Sequence, residues 1–399
     1  MWKRLRRTLL VAVVLLAAAI AVPFLVPMSP LIPELERIAS AGLKRPVSVH
    51  DLRLHLVPTP KLIATGISIG RRADVTIGEL EIVPDVVSFF SGPFTLRTIR
   101  AARVELQPSV LRPGRGLPRG QGGEAIVVRR VLLEQVVLRH PEWKLPPLDA
   151  DVQLGDGDDV QVRLRSRDGA LRVSVQASLK ADAVELSSVK GDLYGGRIAA
   201  SVRASLGNEK EVAGKVALSG VDLVPLQQAF GKAASLSGRL KAEGIFATQP
   251  GGLVLDAPFE VHGGAYHGVD LSKAGDSAEQ PVQGGTTTFE QLSGTLEMRG
   301  KHMRLNQLCL RSPGMAAGGS VQIAPDRTLS GKLELSMAKT GGLVGVPVSL
   351  GGTTSEPSFT PSKGYVIGAV IGTMLLPGIG TTLGASAGSR LEGVASGCK

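Results

Sequence analysis

Six histidines are the first residues that could do chemistry: His50, His55, His140, His262, His267 and His302. None stands in a helical H-x-x-x-H pair beside an acidic partner, so their spacing points away from a bound metal. Asp156, Asp158 and Asp159 crowd into "LGDGDDVQV" (154–162). The twelfth-position Glu of a calcium loop is missing there, and a solvated hairpin accounts for them. The "GGAY" between His262 and His267 reads as a turn. There is no G-x-S-x-G nucleophile elbow and no phosphate-cradling glycine loop. The hydroxyls of "GGTTTFEQLSG" have no base placed beside them by spacing, and threonine runs suit strands. The two cysteines, Cys309 and Cys398, allow one pairing without forcing it and exclude a four-thiolate zinc site. These residues lead to the expectation of no enzyme, no metal and no cofactor.

Charge narrows the partners. The net charge is +10, but Lys3, Arg4, Arg6 and Arg7 supply four of those positive charges within the first seven residues. Single-stranded nucleic acid is held by basic grooves with stacking aromatics. Three Tyr and two Trp in 399 residues offer little of that. No nucleic acid is expected, and anionic membrane surfaces suit the excess better. The basic loop "RPGRGLPRGQGGE" (112–124) is either a linker or a contact for anionic headgroups.

Both ends of the chain are apolar. After the basic cap come 19 uncharged residues, Thr8 to Val26. That matches the roughly 20 residues of a membrane span rather than the 7 to 15 of a signal peptide's apolar stretch. Ala19-Ile20-Ala21 resembles a cleavage site, so cleavage stays open beside a retained anchor. The basic cap places the N-terminus in the cytoplasm and the chain after Val26 in the periplasm of a bacterium. Near the other end, "GYVIGAVIGTMLLPGIGTTLGASAG" carries Gly364, Gly368, Gly372, Gly380, Gly384 and Gly388. Every fourth residue advances about 40° on a helix, so three glycines form a seam but six do not. Pro377 and Gly378 break the stretch into two short helices, about 364–376 and 379–391, packed glycine seam to glycine seam. A hairpin dipping into one leaflet is the favoured form. A kinked single span and a soluble hairpin capping a sheet end remain open.

Between these ends the pattern is β. "SPLIPELERIASAGLKRPVSV" first predicts a short helix from Pro33 to Gly42, with Leu35, Ile38 and Ala39 on its apolar face. From about Val47 to Pro361, apolar residues then alternate with period two, in roughly twenty segments spaced 8–15 residues apart. Only "LVPLQQAFGKA" (223–233) and "PDVVSFFSG" (84–92) read as short helices. Alternation places Val160, Val162 and Leu164 on one face, then Val173 and Val175, then Ile198, Val202 and Leu206. Val216, Leu240, Leu255, Phe259, Leu333 and Leu335 extend that face. A closed sandwich would bury it, whereas a curved sheet would leave a trough. The shortage of aromatics favours an aliphatic trough for acyl chains.

Several stretches resemble the AsmA family of bacterial envelope proteins. Lys44-Arg45-Pro46-Val47 and Pro58-Thr59-Pro60 stand where that family has a G-R-P-V turn and a P-x-P, with Lys44 replacing the usual Gly. Tyr194, Gly195 and Gly196 match its Y-G-G strand opening. Ser237, Gly238 and Gly244 match a later hairpin, and Gly352, Thr353 and Pro357 a closing G-T-x-x-x-P. The resemblance covers residues 1 to about 362 and leaves the glycine tail outside. It implies an inner-membrane protein, bulk in the periplasm, whose long curved antiparallel β-sheet forms an open hydrophobic groove. That groove would conduct phospholipids between inner and outer membranes and contribute to outer-membrane biogenesis. An alternative is a non-enzymatic scaffold or regulator assisting outer-membrane protein assembly. The expected organisation is an anchor (1–28), an N-terminal region (29–125), a β-groove region (126–362) and a glycine-zipper hairpin (363–399). The expected partners are membrane lipids, with a second membrane or an outer-membrane protein engaged by the tail.

Overall fold

The structure is a computed structural model. It describes residues 29–56, 59–89, 94–111, 127–155, 157–180, 183–205, 211–268, 270, 284–337, 345–354 and 356–361. The expected anchor (1–28), the glycine-striped tail (363–399) and its six glycines, the loop at 112–124, Pro58 and Leu206 lie outside the described residues. No helix among the described residues is long and apolar enough to cross a membrane. Among the described residues the chain is mainly β, with 21 strands in one hydrogen-bonded sheet. It divides into two compact units, Met1–Gln176 and Ala177–Lys399.

The first unit opens with helix α1 (Ile32–Leu43). Pro in its first turn and Glu34 beside it suit an N-terminus. Lys44 closes it with a left-handed φ of 50°, a backbone conformation that Gly adopts more readily. The Ser40 hydroxyl accepts the Val47 N–H at 2.9 Å and the Glu36 carboxylate accepts the Val49 N–H at 2.7 Å. The helix is thereby tied to the first strand. Ile32 and Leu35 pack on Val49, Leu52, Ala64 and Ile67. Ile38, expected to share that face, is instead 61% exposed. It lies about 240° round the helix from Ile32, off the contacting stripe.

Strands β1 (Val47–Ser48) and β2 (Asp51–His55) both pair with β3 (Lys61–Ile69), followed by β4 (Val75–Pro84) and β5 (Thr95–Leu106). The expected helix at 84–92 is a single 3-10 turn, Val86–Phe89. The ladder continues from β5 to β6 (Val127–Val128) and β7 (Arg130–Leu138), and both of these pairings are parallel. The expected antiparallel order is interrupted only at this step, where β6 and β7 begin beside the start of β5. Antiparallel order resumes with β8 (Leu148–Leu154), β9 (Asp159–Ser166) and β10 (Leu171–Leu179).

The second unit is an antiparallel meander in chain order. Its strands are β11 (Ala183–Leu193), β12 (Gly196–Ser205), β13 (Val212–Asp222), β14 (Leu236–Gln249) and β15 (Gly252–His267). They continue through β16 (Thr286–Arg299), β17 (His302–Ser312), β18 (Met315–Ile323), β19 (Leu329–Met337), β20 (Gly345–Gly352) and β21 (Pro357–Pro361). The "GGAY" expected as a turn lies within β15, where Gly263 takes φ 57° and bulges the strand. The Y-G-G motif is the β11–β12 turn itself. Tyr194 and Gly195 have φ 45° and 77°, the two positive values of a type I′ hairpin. Helix α2 (Leu223–Ala229) interrupts the meander, its N-terminus capped by Asp222, which accepts the Val224 N–H at 3.0 Å.

Leu223 of α2 joins Val261, Phe289, Leu310, Ala317, Leu333, Leu335, Val346, Val348 and Phe359 in one enclosed cluster. Leu335 is 0% exposed. Leu335→Ala should cost about 2–5 kcal/mol, whereas Val202→Ala, at a half-buried position, should cost about 1 kcal/mol or less. Urea denaturation of both variants followed by circular dichroism checks the contrast, and equal losses would refute it.

Candidate functional site

Register decides which side chains share a face. In the first unit the row Leu54, Leu62, Ile82, Ile99, Val131, Val152 and Val162 crosses seven strands through direct cross-strand partners. A neighbouring row runs Leu52, Ala64, Leu80, Ala101, Leu133, Ala150 and Leu164. Strict alternation does not hold along the strands, however. Ala64 and Ile67 are both buried, as are Ala101 and Val104. Gly66 and Arg103 lie between them in left-handed backbone, φ 60° and 55°, and Gln135 does the same in β7. Each bulge flips the parity, so residues three apart return to one face.

The second unit is built alike. One row runs Leu186, Val202, Gly214, Phe246, Leu255, Met298, Met303, Ile323 and Leu329. A parallel row at the other end of these strands runs Val221, Leu240, Val261, Leu292, Leu310, Ala317, Leu335 and Val346. Register shifts at Leu186/Val189, Ser219/Val221 and Leu305/Leu308 keep the rows aligned. Glycines in the face make room for neighbouring rings. A Cβ on Gly214 would lie 2.7 Å from Phe246 Cζ, and one on Gly294 would lie 3.3 Å from Phe259 Cζ.

The two rows differ in access. Along the α2 end, Val221, Val261, Leu310, Ala317, Leu335 and Val346 are all buried. Along the opposite end every member from Leu186 to Leu329 is half-buried, and Leu253 at the β14–β15 hairpin is 38% exposed. The apolar face is enclosed at one end and accessible at the other.

The alternation-based candidates fall on both sides of this divide. Val162, Leu164, Val175, Ile198, Val202, Val216 and Leu255 are half-buried members of the apolar face. Val160 and Val173 are buried, Leu333 and Leu335 sit inside the enclosed cluster, and Leu240 and Phe259 pack against it. Apart from Val162 and Leu164, alternation missed the first unit's rows, and it missed Leu186, Leu292, Leu296 and Leu305. Bulges hide them, since three-residue spacing reads as a break in period two; a glycine between two apolar pairs was the available signal.

The reverse face is polar. In the first unit it carries two-pronged ion pairs across strands: Arg100–Glu134, Arg130–Asp151 and Arg139–Glu105, each with a contact at 2.8 Å. Hydrogen bonds from these guanidinium groups hold the carboxyl groups of Glu134, Asp151 and Glu105 below the usual carboxylate range. In the second unit a shallow hollow of about 760 Å³ opens on this face beside Ser201, Lys215, Glu243 and Ile245. Among the described residues no group of three or more His, Cys, Asp or Glu is placed to hold a metal ion. Cys309 on β17 is disulfide-bonded. Neither a protein-family model, nor a curated protein, nor a solved structure matches the chain.

Carboxyl groups with depressed pKa stabilise the fold above the ordinary carboxylate value of about 4, and that contribution is lost as pH falls through the depressed values. The urea midpoint should therefore drop on acidification from about pH 6 to pH 3, and Glu134→Gln should flatten that drop. An unchanged slope in the variant would count against the ion pair as its source.

Proposed function

We propose that the chain binds acyl chains of membrane phospholipids on its apolar face and passes them along successive strands, held to a bacterial inner membrane by its N-terminal segment. One observation carries this reading: in each unit cross-strand rows of apolar, mostly aliphatic side chains cross seven or more strands, and the rows away from α2 and α1 stay only half-buried. A single exposed leucine needs no explanation, whereas a contiguous apolar surface calls for an apolar occupant. Acyl chains fit, since each methylene removed from water contributes about 0.8 kcal/mol and asks for no polar partner. Neighbouring positions along a row are chemically alike, so movement between them meets no large barrier. The resemblance to AsmA-type proteins agrees with this reading, and transport between inner and outer membranes is the role it suggests.

The test uses two adjacent positions on one strand. Val202 lies in the accessible apolar row, and Ser201 lies on the polar face opposite Lys215. In the full-length protein in bacterial membranes, Val202→Asp should reduce crosslinking to a photoreactive acyl-chain phospholipid at least about tenfold, because a carboxylate in an apolar row costs several kcal/mol. Ser201→Asp should leave it unchanged. Wild-type protein that yields no lipid crosslink, or equal loss in both variants, would sink the reading.

A further inference from the structure

We propose that the cleft at the β16–β17 hairpin is a binding site for the anionic phosphate headgroup of a lipid whose tails lie on the adjoining apolar row. This rests on the acyl-binding proposal and adds headgroup selectivity to it. The cleft has a volume of about 370 Å³ and is lined by Glu297, Arg299, His302, Arg304, Met303 and Ile323 among others. It stands at the accessible end of the apolar face: Met298, Met303, Ile323 and Leu329 close the half-buried row there, through direct pairings Met298–Met303, Met303–Ile323 and Ile323–Leu329. Polar and apolar surfaces meet at this rim as the two parts of a phospholipid do.

The charge at the rim is unbalanced. Arg299, Lys301 and Arg304 are exposed, as is His302. Among the described residues, Lys301, His302 and Arg304 make no side-chain hydrogen bond or ion pair. Arg299 spends one guanidinium nitrogen on two backbone carbonyls, Leu255 at 3.1 Å and Met298 at 2.9 Å, which aligns the group at the hairpin. The single carboxylate in the cleft, Glu297, lies opposite Arg304 in the ladder and accepts a hydrogen bond from Asn306 at 2.8 Å. Asp326 in the next hairpin along is bonded to the Thr328 N–H and hydroxyl, 3.0 and 2.7 Å. Of the residues lining the cleft, the permanent cations Arg299 and Arg304 thus face one engaged carboxylate, with Lys301 at the hairpin tip and Asp256 on the next strand opposite Glu297. In the first unit the corresponding arginines are matched by carboxylates, and such self-neutralised ladders have no charge left for a ligand. Guanidinium groups bind phosphate oxygens in pairs, which makes Arg299 and Arg304 the recognition elements.

The experiment uses the full chain in detergent with pyrene-labelled phosphatidylglycerol and phosphatidylcholine carrying identical tails, plus inorganic phosphate as competitor. The wild type should prefer the anionic lipid, and the double variant Arg299→Gln/Arg304→Gln should lose about five- to twentyfold in affinity for it while phosphatidylcholine binding stays constant. Salt at about 0.5 M should abolish the preference in the wild type, an arm that requires no substitution. Equal binding of both lipids by the wild type, or a preference insensitive to salt and to the substitutions, overturns the headgroup site while leaving acyl binding in place. Displacement of the anionic lipid by low-millimolar inorganic phosphate assigns the cleft to free phosphate and overturns the lipid assignment. No binding of either lipid overturns both readings.

Discussion

The constraint on which this molecule depends is cross-strand register. A ladder hydrogen bond fixes which residue stands opposite which, and a slip of one position would turn every aliphatic side chain of a strand toward water. Left-handed residues at Gly66, Arg103 and Gln135 reverse the side-chain parity of β3, β5 and β7 and would misalign the rows if any one stood alone. They occur at matching heights in neighbouring strands, so the parity change is shared and the apolar face stays continuous. Ala64 with Ile67, opposite Leu80 with Ile77, and Ala101 with Val104 beyond them show the compensation crossing three strands.

A sheet of this kind carries two liabilities, its edges and its uncovered face. In the second unit the last strand, β21, is five residues long and has Pro at both ends. Proline withholds a ladder donor, and short edge strands discourage pairing with another chain. That chemistry does not favour strand addition as the way this unit meets a protein partner. In the first unit α1 is bound to the chain at β1 through Ser40 and Glu36. The uncovered face is handled differently. It is enclosed chiefly where α1 packs on the first strands and where α2 and the closing strands bring their aliphatic groups together, and elsewhere it stays half-buried. An apolar surface left so is a cost to a protein with no occupant for it and an asset to one that has an occupant.

The two polar faces divide the electrostatic work. Arginine–carboxylate pairs in the first unit link β5 to β7 and β7 to β8 across the parallel step, where the ladder alone is slightly weaker. Each exposed pair contributes little, yet the paired groups cancel one another's charge. At the β16–β17 hairpin the arginines are not matched in this way, and the positive charge is concentrated where the apolar face is accessible.

Much of the architecture was legible in the residues. Alternation of Val160, Val162 and Leu164 with Gln161, Arg163 and Arg165 is enough to name a strand with one oily side, and Asp222 before "LVPLQQA" is enough to start a helix. The chain by itself therefore determined a mainly β protein of about twenty strands, because side-chain direction in a strand is a local property of the backbone. Local periodicity could not reveal that Ile38 faces outward, that β5 and β7 run parallel, or that "GGAY" continues a strand. Those outcomes depend on which element lies alongside. Only the tertiary structure decided that Leu335 is sealed while Val202 is not, since the two have the same local pattern and differ in what stands across from them. Burial is a property of neighbours in space, and one strand's sequence carries no record of them.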